Sequence, residues 1–266
     1  MTKIIAEIGW NHMGDIDLAK KMIVAAKNNG ADFVKTQIFD VNQLKKGPWD
    51  LDGRREIYQK ASLTDAKYIQ LKKFSDENNI HFFSSAFNKQ GAERILKIDN
   101  NIFKVPSAEA RNYELLDFVC KNFKKVLIST GTLYEKEIVE LTKKYKNLNI
   151  TLLHCVSAYP CPFENVNLSK IEFLKKINNN DAGFSDHSPG IEASILSLSY
   201  NPSYIEKHFT IDNNLPGRDN KFAILPNELK KLKEYIEISN KIKINHGNDL
   251  QDSEQEVRKI YAGRWG

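Results

Sequence analysis

Short apolar runs recur along this chain, each followed by a segment with apolar positions every three to four residues. The first run, residues 4–8, leads through EIGWNHMGD into a helix. Its apolar positions Leu18, Met22, Ile23 and Ala26 share one face, with Asp15 or Asp17 as its cap and Gly30 as its stop. FVKTQI (33–38) predicts a second strand, and a polar segment from 40 to 62 follows. Ser62 opens a capping pattern for the helix SLTDAKYIQLKKF. Beyond it, strands predicted at 81–86, 102–106, 126–129, 150–155, 182–185 and 204–209 alternate with helices. Those helices fall at 89–96, 113–121, 135–145, 168–177, 191–198 and 226–244.

Eight such units in about 245 residues fit an α/β fold of the (β/α)8 TIM barrel type, usually ~250 residues long. An open doubly wound sheet would expect a glycine-rich phosphate fingerprint after the first strand, and EIGWNHMG has none. The pattern predicts one barrel domain, residues 1–245, and a polar tail, 246–266, that closes the barrel without forming a second domain.

Composition narrows the function. With 41% hydrophobic and 27% charged residues, the chain reads as a globular protein with a large core. Its net charge of +5, from 39 basic and 34 acidic residues, is spread without a basic arm. That suits small anionic substrates and argues against nucleic acid. Cys120, Cys155 and Cys161 lack metal-ligand spacing and cannot all pair, which points to a reducing, cytoplasmic setting. The first strand begins too early to leave room for a leader, and no apolar run approaches the ~20 residues of a membrane span.

Barrel enzymes carry their sites at the C-terminal strand ends. Here those ends hold Glu7, Lys35 and Gln37, Ser84 or Ser85, and Lys104 with Ser107 and Glu109. Ser129 follows, then His154 with Ser157 and Tyr159, Ser185 with His187, and His208. Alternation places Lys35 with Gln37, Ser185 with His187, and Glu206 with His208 on shared faces. Two histidines alone are more often loop or core residues. His187 and His208, however, occupy equivalent places in successive units, with Asp186 and Asp219 nearby. Neighbouring parallel strands ~4.8 Å apart would bring the imidazoles out side by side, where neutral rings can ligate a divalent metal. Glu7, Lys35, Lys104 and Glu206 can pair with one another structurally, since unpaired charge inside a barrel is costly. The two lysines with several hydroxyls can also hold a phosphate and a carboxylate, and the two readings are compatible.

Together these motifs resemble the sialic acid synthase family, which condenses phosphoenolpyruvate with an N-acetyl amino sugar. EIGWNH (7–12), VKTQ (34–37), SSAF (84–87), KVPSAE (104–109), STGT (129–132) and LLHCVSAYP (152–160) occur in family order. FSDHS (184–188), EKHFTID (206–212) and LPGRD (215–219) complete the set. The resemblance implies an N-acetylneuraminate synthase-like transferase making a sialic-type acid and phosphate from an N-acetylmannosamine-like sugar. It implies Mn²⁺, with Mg²⁺ or Co²⁺ as alternatives, held by His187 and His208 and polarising the sugar aldehyde. Lys35, Gln37, Lys104, Ser107, Ser129 and Ser185 would bind phosphoenolpyruvate, with Ser85 where the family usually has threonine. Glu109, Tyr159 and Asp219 would contact the sugar, and Glu7 would orient water or move a proton near the metal.

Three departures follow. Ser157 stands where many members carry an asparagine that holds phosphoenolpyruvate, and Arg218-Asp219-Asn220 replaces a usual PDH. The resemblance also stops at the barrel. The family's antifreeze-like domain, swapped in family dimers to supply an arginine to the partner's sugar site, has no counterpart in this sequence. A second copy of the chain or a separate antifreeze-like polypeptide is therefore the expected partner, with Arg218 or Arg264 as substitutes for that arginine. The closing YAGRWG reads as a lid, a dimer contact or a tryptophan packed over the barrel end. Two other functions stay open: condensation with a different aldose, and a non-catalytic sugar-binding barrel subunit.

Overall fold

A computed structural model describes residues 1–266, and in it eight parallel strands close on themselves in chain order. They are β1 (Lys3–Gly9), β2 (Phe33–Ile38), β3 (His81–Ala86), β4 (Ile102–Val105), β5 (Lys125–Ser129), β6 (Ile150–Cys155), β7 (Ala182–Asp186) and β8 (Tyr204–His208). Around them lie α1 (Ile16–Asn28), α2 (Arg54–Ala61), α3 (Asp65–Glu77), α4 (Lys89–Leu96) and α5 (Tyr113–Asn122). The ring continues with α6 (Glu135–Tyr145), α7 (Lys170–Ile177), α8 (Glu192–Ser197) and α9 (Pro226–Ile242), and α10 (Gln255–Tyr261) lies in the tail.

Every strand falls within one residue of its expected bounds, because a strand buried on both faces is marked by its apolar run. Local chemistry explains the helix starts. Asp15 caps α1 by accepting from the amides of Asp17 and Leu18. The cap of α3 is Thr64, whose hydroxyl accepts from Lys67 N, and not Ser62 as the capping pattern suggested. Helix α2 went unread inside the polar segment 40–62, since only Ala61 of its residues is buried and no apolar stripe marks it.

Packing divides into two cores. Between strands and helices lies a cluster of 49 buried residues, whereas the lumen holds only Ile5, Phe83, Leu127 and Leu153. The lumen plug is therefore thin. Phe33 seals it at the N-terminal end, stacked on His81 at 5.1 Å and tilted against Tyr204 at 6.0 Å. Two residues further along each strand, the same inward face turns polar. Ile5 gives way to Glu7, Phe33 to Lys35, Phe83 to Ser85 and Ile102 to Lys104. On the other half, Leu127 is followed by Ser129, Leu153 by Cys155, Gly183 by Ser185 and Tyr204 by Glu206.

From Lys241 onward every residue is exposed, and Trp265 is 87% exposed. Within a single chain the tail neither closes the barrel nor lays its tryptophan over the end. No helix is long and apolar enough to cross a membrane.

Candidate active site at the mouth of the barrel

Closure of the sheet brings the first and last strands into register, with Glu7 opposite both Lys35 and His208. Lys35 Nζ lies 2.8 Å from Glu7 Oε2 and 3.8 Å from Glu206 Oε2. Lys104 Nζ donates to Glu206 Oε1 at 2.8 Å, and the Ser185 hydroxyl donates to the same oxygen at 3.0 Å. Gln37 Nε2 donates to Glu7 Oε1 at 2.8 Å. A β-bulge at Gly9 (φ +47°) turns the backbone over this cluster. A Cβ there would sit 3.2 Å from Glu7 Oε1, so glycine permits the close approach.

Two lysines face two glutamates here, and burial acts on the two carboxyls with different outcomes. Burial raises Glu7 above the usual carboxylate range; Lys35 opposes this and the Glu206 carboxylate reinforces it. Burial also works against ionisation of Glu206, yet Lys104 and Lys35 outweigh it and hold that carboxyl at about 2. Lys35 remains charged, because the two glutamates more than offset its burial and raise its pKa. Burial thus pushes one carboxyl up while the lysines hold its neighbour down, a divergence of the kind that acid–base sites use.

The imidazoles of His187 and His208 lie side by side, their centroids 5.4 Å apart. His187 Nδ1 donates to Val156 O at 2.9 Å, and although burial works against charge on this ring, Cys155 and that backbone contact raise its pKa. Burial and the neighbouring His187 hold His208 well below its ordinary pKa, so it is neutral. Its Nδ1 is buried without a hydrogen-bond partner, 3.5 Å from Asp219 Oδ2. No three His, Cys, Asp or Glu side chains form a ready-made metal cage. The chain instead offers two adjacent imidazoles, which would hold a divalent ion with most of its coordination positions left for substrate or water.

Beside His187 stands a wall of hydroxyls and one thiol. Ser107 Oγ lies 3.3 Å from Cys155 Sγ, which in turn is 3.7 Å from His187 Nδ1 and 3.9 Å from Ser157 Oγ. Burial alone would raise the Cys155 thiol, but His187 beside it and the Ser107 contact bring it down to about 7. Gly131 lies against this wall: a Cβ there would collide with the hydroxyls of Ser157 and Ser107. Thr132 next to it adopts φ +63°, a left-handed conformation rare for threonine and a mark of functional loops. Ser129 Oγ and Glu206 Oε2 are buried with no hydrogen-bond partner in the chain. Such groups cost about 1–3 kcal/mol each until a ligand, ion or water meets them.

At the rim, Asp219 accepts from Trp10 Nε1, and Trp10 stacks on Tyr58 with centroids 4.7 Å apart. Burial raises the pKa of Asp219. Tyr159 covers His187 at 4.2 Å while half its surface stays exposed, and Phe222 lies 5.0 Å from His208. Glu109 sits on the short turn Ser107–Glu109, its carboxylate accepting from Asn112 Nδ2 at 3.0 Å. Ser85 is buried opposite Lys104 in register.

His154 is the exception among the strand-end candidates. It faces away from the mouth, its Nε2 donating to Val166 O at 2.6 Å and its ring stacked on Phe184 at 5.5 Å. Cys155 takes the inward place instead. Counting by twos from Leu153 could have found it, but ITLLHC is apolar on both faces and hides its phase. Trp10 and Phe222 left no signal either, since each reaches the site from a loop.

The chain is similar in sequence and in fold to nonulosonic acid synthases. A model of the NeuB family matches residues 22–247. The N,N'-diacetyllegionaminic acid synthase of Campylobacter jejuni is 38% identical over 247 residues, covering 87% of this chain and 74% of that protein. A pseudaminic acid synthase of the same species is 34% identical over 86% of this chain and 71% of its own length. Among solved structures, the N-acetylneuraminic acid synthetase of Leptospira borgpetersenii superposes with a TM-score of 0.86 at 33% identity. That superposition covers 98% of this chain and 92% of the other. Since the family model matches residues 22–247 and both sequence and fold agree over most of the chain, this chain belongs to the NeuB family.

Proposed function

We propose that this chain condenses phosphoenolpyruvate with the open-chain aldehyde of an N-acetyl amino sugar, N-acetylmannosamine or a close analogue. The products are a nonulosonic acid and inorganic phosphate. The observation that supports this most directly is the convergence on one mouth of two imidazoles 5.4 Å apart and two lysines held by buried glutamates. His187 and His208 would hold a divalent ion, Mn²⁺ by preference, which when bound supplies Lewis-acid polarisation of the aldehyde oxygen.

The remaining work falls to the chain. Lys35 and Lys104 bind the carboxylate and phosphate of phosphoenolpyruvate, replacing their contacts with Glu7 and Glu206. Ser107, Ser129, Ser157 and Ser185 donate to the remaining oxygens. Fixing the enol methylene against the aldehyde converts an encounter into a positioned reaction, the largest contribution a rigid barrel can make. The methylene carbon attacks the aldehyde carbon, and the aldehyde oxygen takes a proton, which the Glu7 carboxyl, register partner of His208, would deliver. Water adds to the oxocarbenium-like carbon, and phosphate departs by C–O cleavage. Tyr159, Asp219 and Glu109 line the side from which the sugar would enter.

Phosphate release on mixing the chain with phosphoenolpyruvate, Mn²⁺ and a panel of aldoses led by N-acetylmannosamine tests this. Release with an N-acetyl amino sugar, lost on chelation and restored by Mn²⁺, is the expected result. No release with any aldose would reject the reading.

A further inference from the structure

We infer that Asp186 and Lys207, on the outer face of the barrel wall, are positioning residues that set the spacing of His187 and His208. The inference rests on the reading of those histidines as a shared cation site. Asp186 and Lys207 are register partners on β7 and β8, each next in sequence to one of the histidines. Alternation sends the histidines to the mouth and this pair into the layer beneath the helices. Lys207 Nζ lies 3.0 Å from Asp186 Oδ2, and the two side chains are 1% and 0% exposed.

The rest of the aspartate is fully occupied. Its Oδ1 accepts from Ser188 N at 2.8 Å and from Ser188 Oγ at 2.7 Å, and its Oδ2 from Ser194 Oγ on α8 at 2.6 Å. Lys207 also donates to the carbonyl of Ser188. The residues before and after His187 are thereby tied to the residue before His208 through one closed network. Four ion pairs in the molecule have both partners buried, and the other three lie inside the lumen.

Stability alone is a poor reason for such a pair, since apolar replacements of buried ion pairs are often neutral or stabilising. Its place between the two histidine-bearing strand ends supplies a better one. A pair of ligands on separate strands binds a cation only as well as their separation is held, and groups that orient ligands typically govern affinity 10–100-fold.

The test compares wild type with the double variant Asp186→Asn/Lys207→Met, measuring Mn²⁺ binding to the metal-free protein by calorimetry alongside its melting temperature. The expected result is a dissociation constant raised 10–100-fold with an unchanged KM for phosphoenolpyruvate. Ser194→Ala, which removes one donor and leaves the ion pair, should weaken Mn²⁺ about three- to tenfold and remains informative if the double variant does not fold. Lys207→Arg, which keeps the charge opposite Asp186, should retain wild-type Mn²⁺ affinity and so tie the loss to the ion pair. Mn²⁺ binding within twofold of wild type by the folded double variant, or by Ser194→Ala if the double variant does not fold, overturns the inference. Wild type that binds no Mn²⁺ overturns the cation-site reading itself, and the two failures are told apart by which protein shows them.

Discussion

The two ends of this barrel contain similar residues arranged to different effect. At the N-terminal end, Asp181 accepts from Lys125 at 2.8 Å, from Ser203 at 2.7 Å and from Thr151. Asp32 there holds Lys3 at 3.0 Å and the Ile4 amide at 2.9 Å. Burial would raise Asp181, but its three donors outweigh burial and lower it. Every one of these polar groups is satisfied. At the C-terminal end, Glu206 and Lys104 pair just as closely, yet Asn11 Oδ1, Ser129 Oγ, Glu206 Oε2 and His208 Nδ1 are buried without partners. A charge network that satisfies itself contributes stability, whereas one with unmet atoms tolerates a cost that only a ligand relieves.

The sharpest way to break this comparison is to remove one lysine from each end. Lys104→Met should lower kcat/KM for phosphoenolpyruvate about 10²–10³-fold, roughly 3–4 kcal/mol of transition-state binding. Lys125→Met should leave kcat/KM within about twofold and lower the melting temperature by about 2–4 °C, as the loss of ~1 kcal/mol would in a chain of this size. Equal effects of the two on activity would erase the distinction.

A smaller effect comes from the wall between the ends. Burial holds the pKa of His154 at about 4, below the ~6.5 of an unfolded chain. The folded state therefore resists a proton that the unfolded state accepts. The stabilisation is complete above pH 6.5 and is lost as pH falls toward 4, by about 1.4 kcal/mol per unit in that window. Urea unfolding at pH 7, 6 and 5 should show this slope, and His154→Gln should flatten it by about one proton while leaving Mn²⁺ affinity intact. A change in Mn²⁺ affinity would return His154 to the mouth.

Smallest of all, Lys3→Ala at the solvent-facing rim of the N-terminal end should change unfolding free energy by no more than ~0.5 kcal/mol. Exposed ion pairs are screened and entropically costly. A drop above ~2 kcal/mol would mean that this end is held by its rim and not by the Asp181 network.

Much of the architecture was legible before any coordinates. Lys35, Lys104 and Glu206 each stand two positions beyond an inward apolar residue, so alternation along their strands carries them to the mouth. The pairing of His187 with His208 followed from equal places in successive units. What stayed hidden is instructive. His154 and Cys155 could not be told apart, because both faces of β6 are buried and the apolar run lacks a polar phase marker. The Trp10–Asp219 bond joins loops 209 residues apart in sequence, and no local pattern encodes it. Helix α2 lacks the apolar stripe that periodicity detects.

The sequence by itself determined the class of fold, the order of its strands and the kinds of side chain at their ends, since each depends on contacts between near neighbours in the chain. Only the closed barrel decided which glutamate is pushed up and which is held down, which serine is left unpaired and which ring nitrogen lacks a partner. Those outcomes depend on the register between β8 and β1, which sets Glu7 against His208. They depend equally on the shared burial that makes each charge answer to all the others.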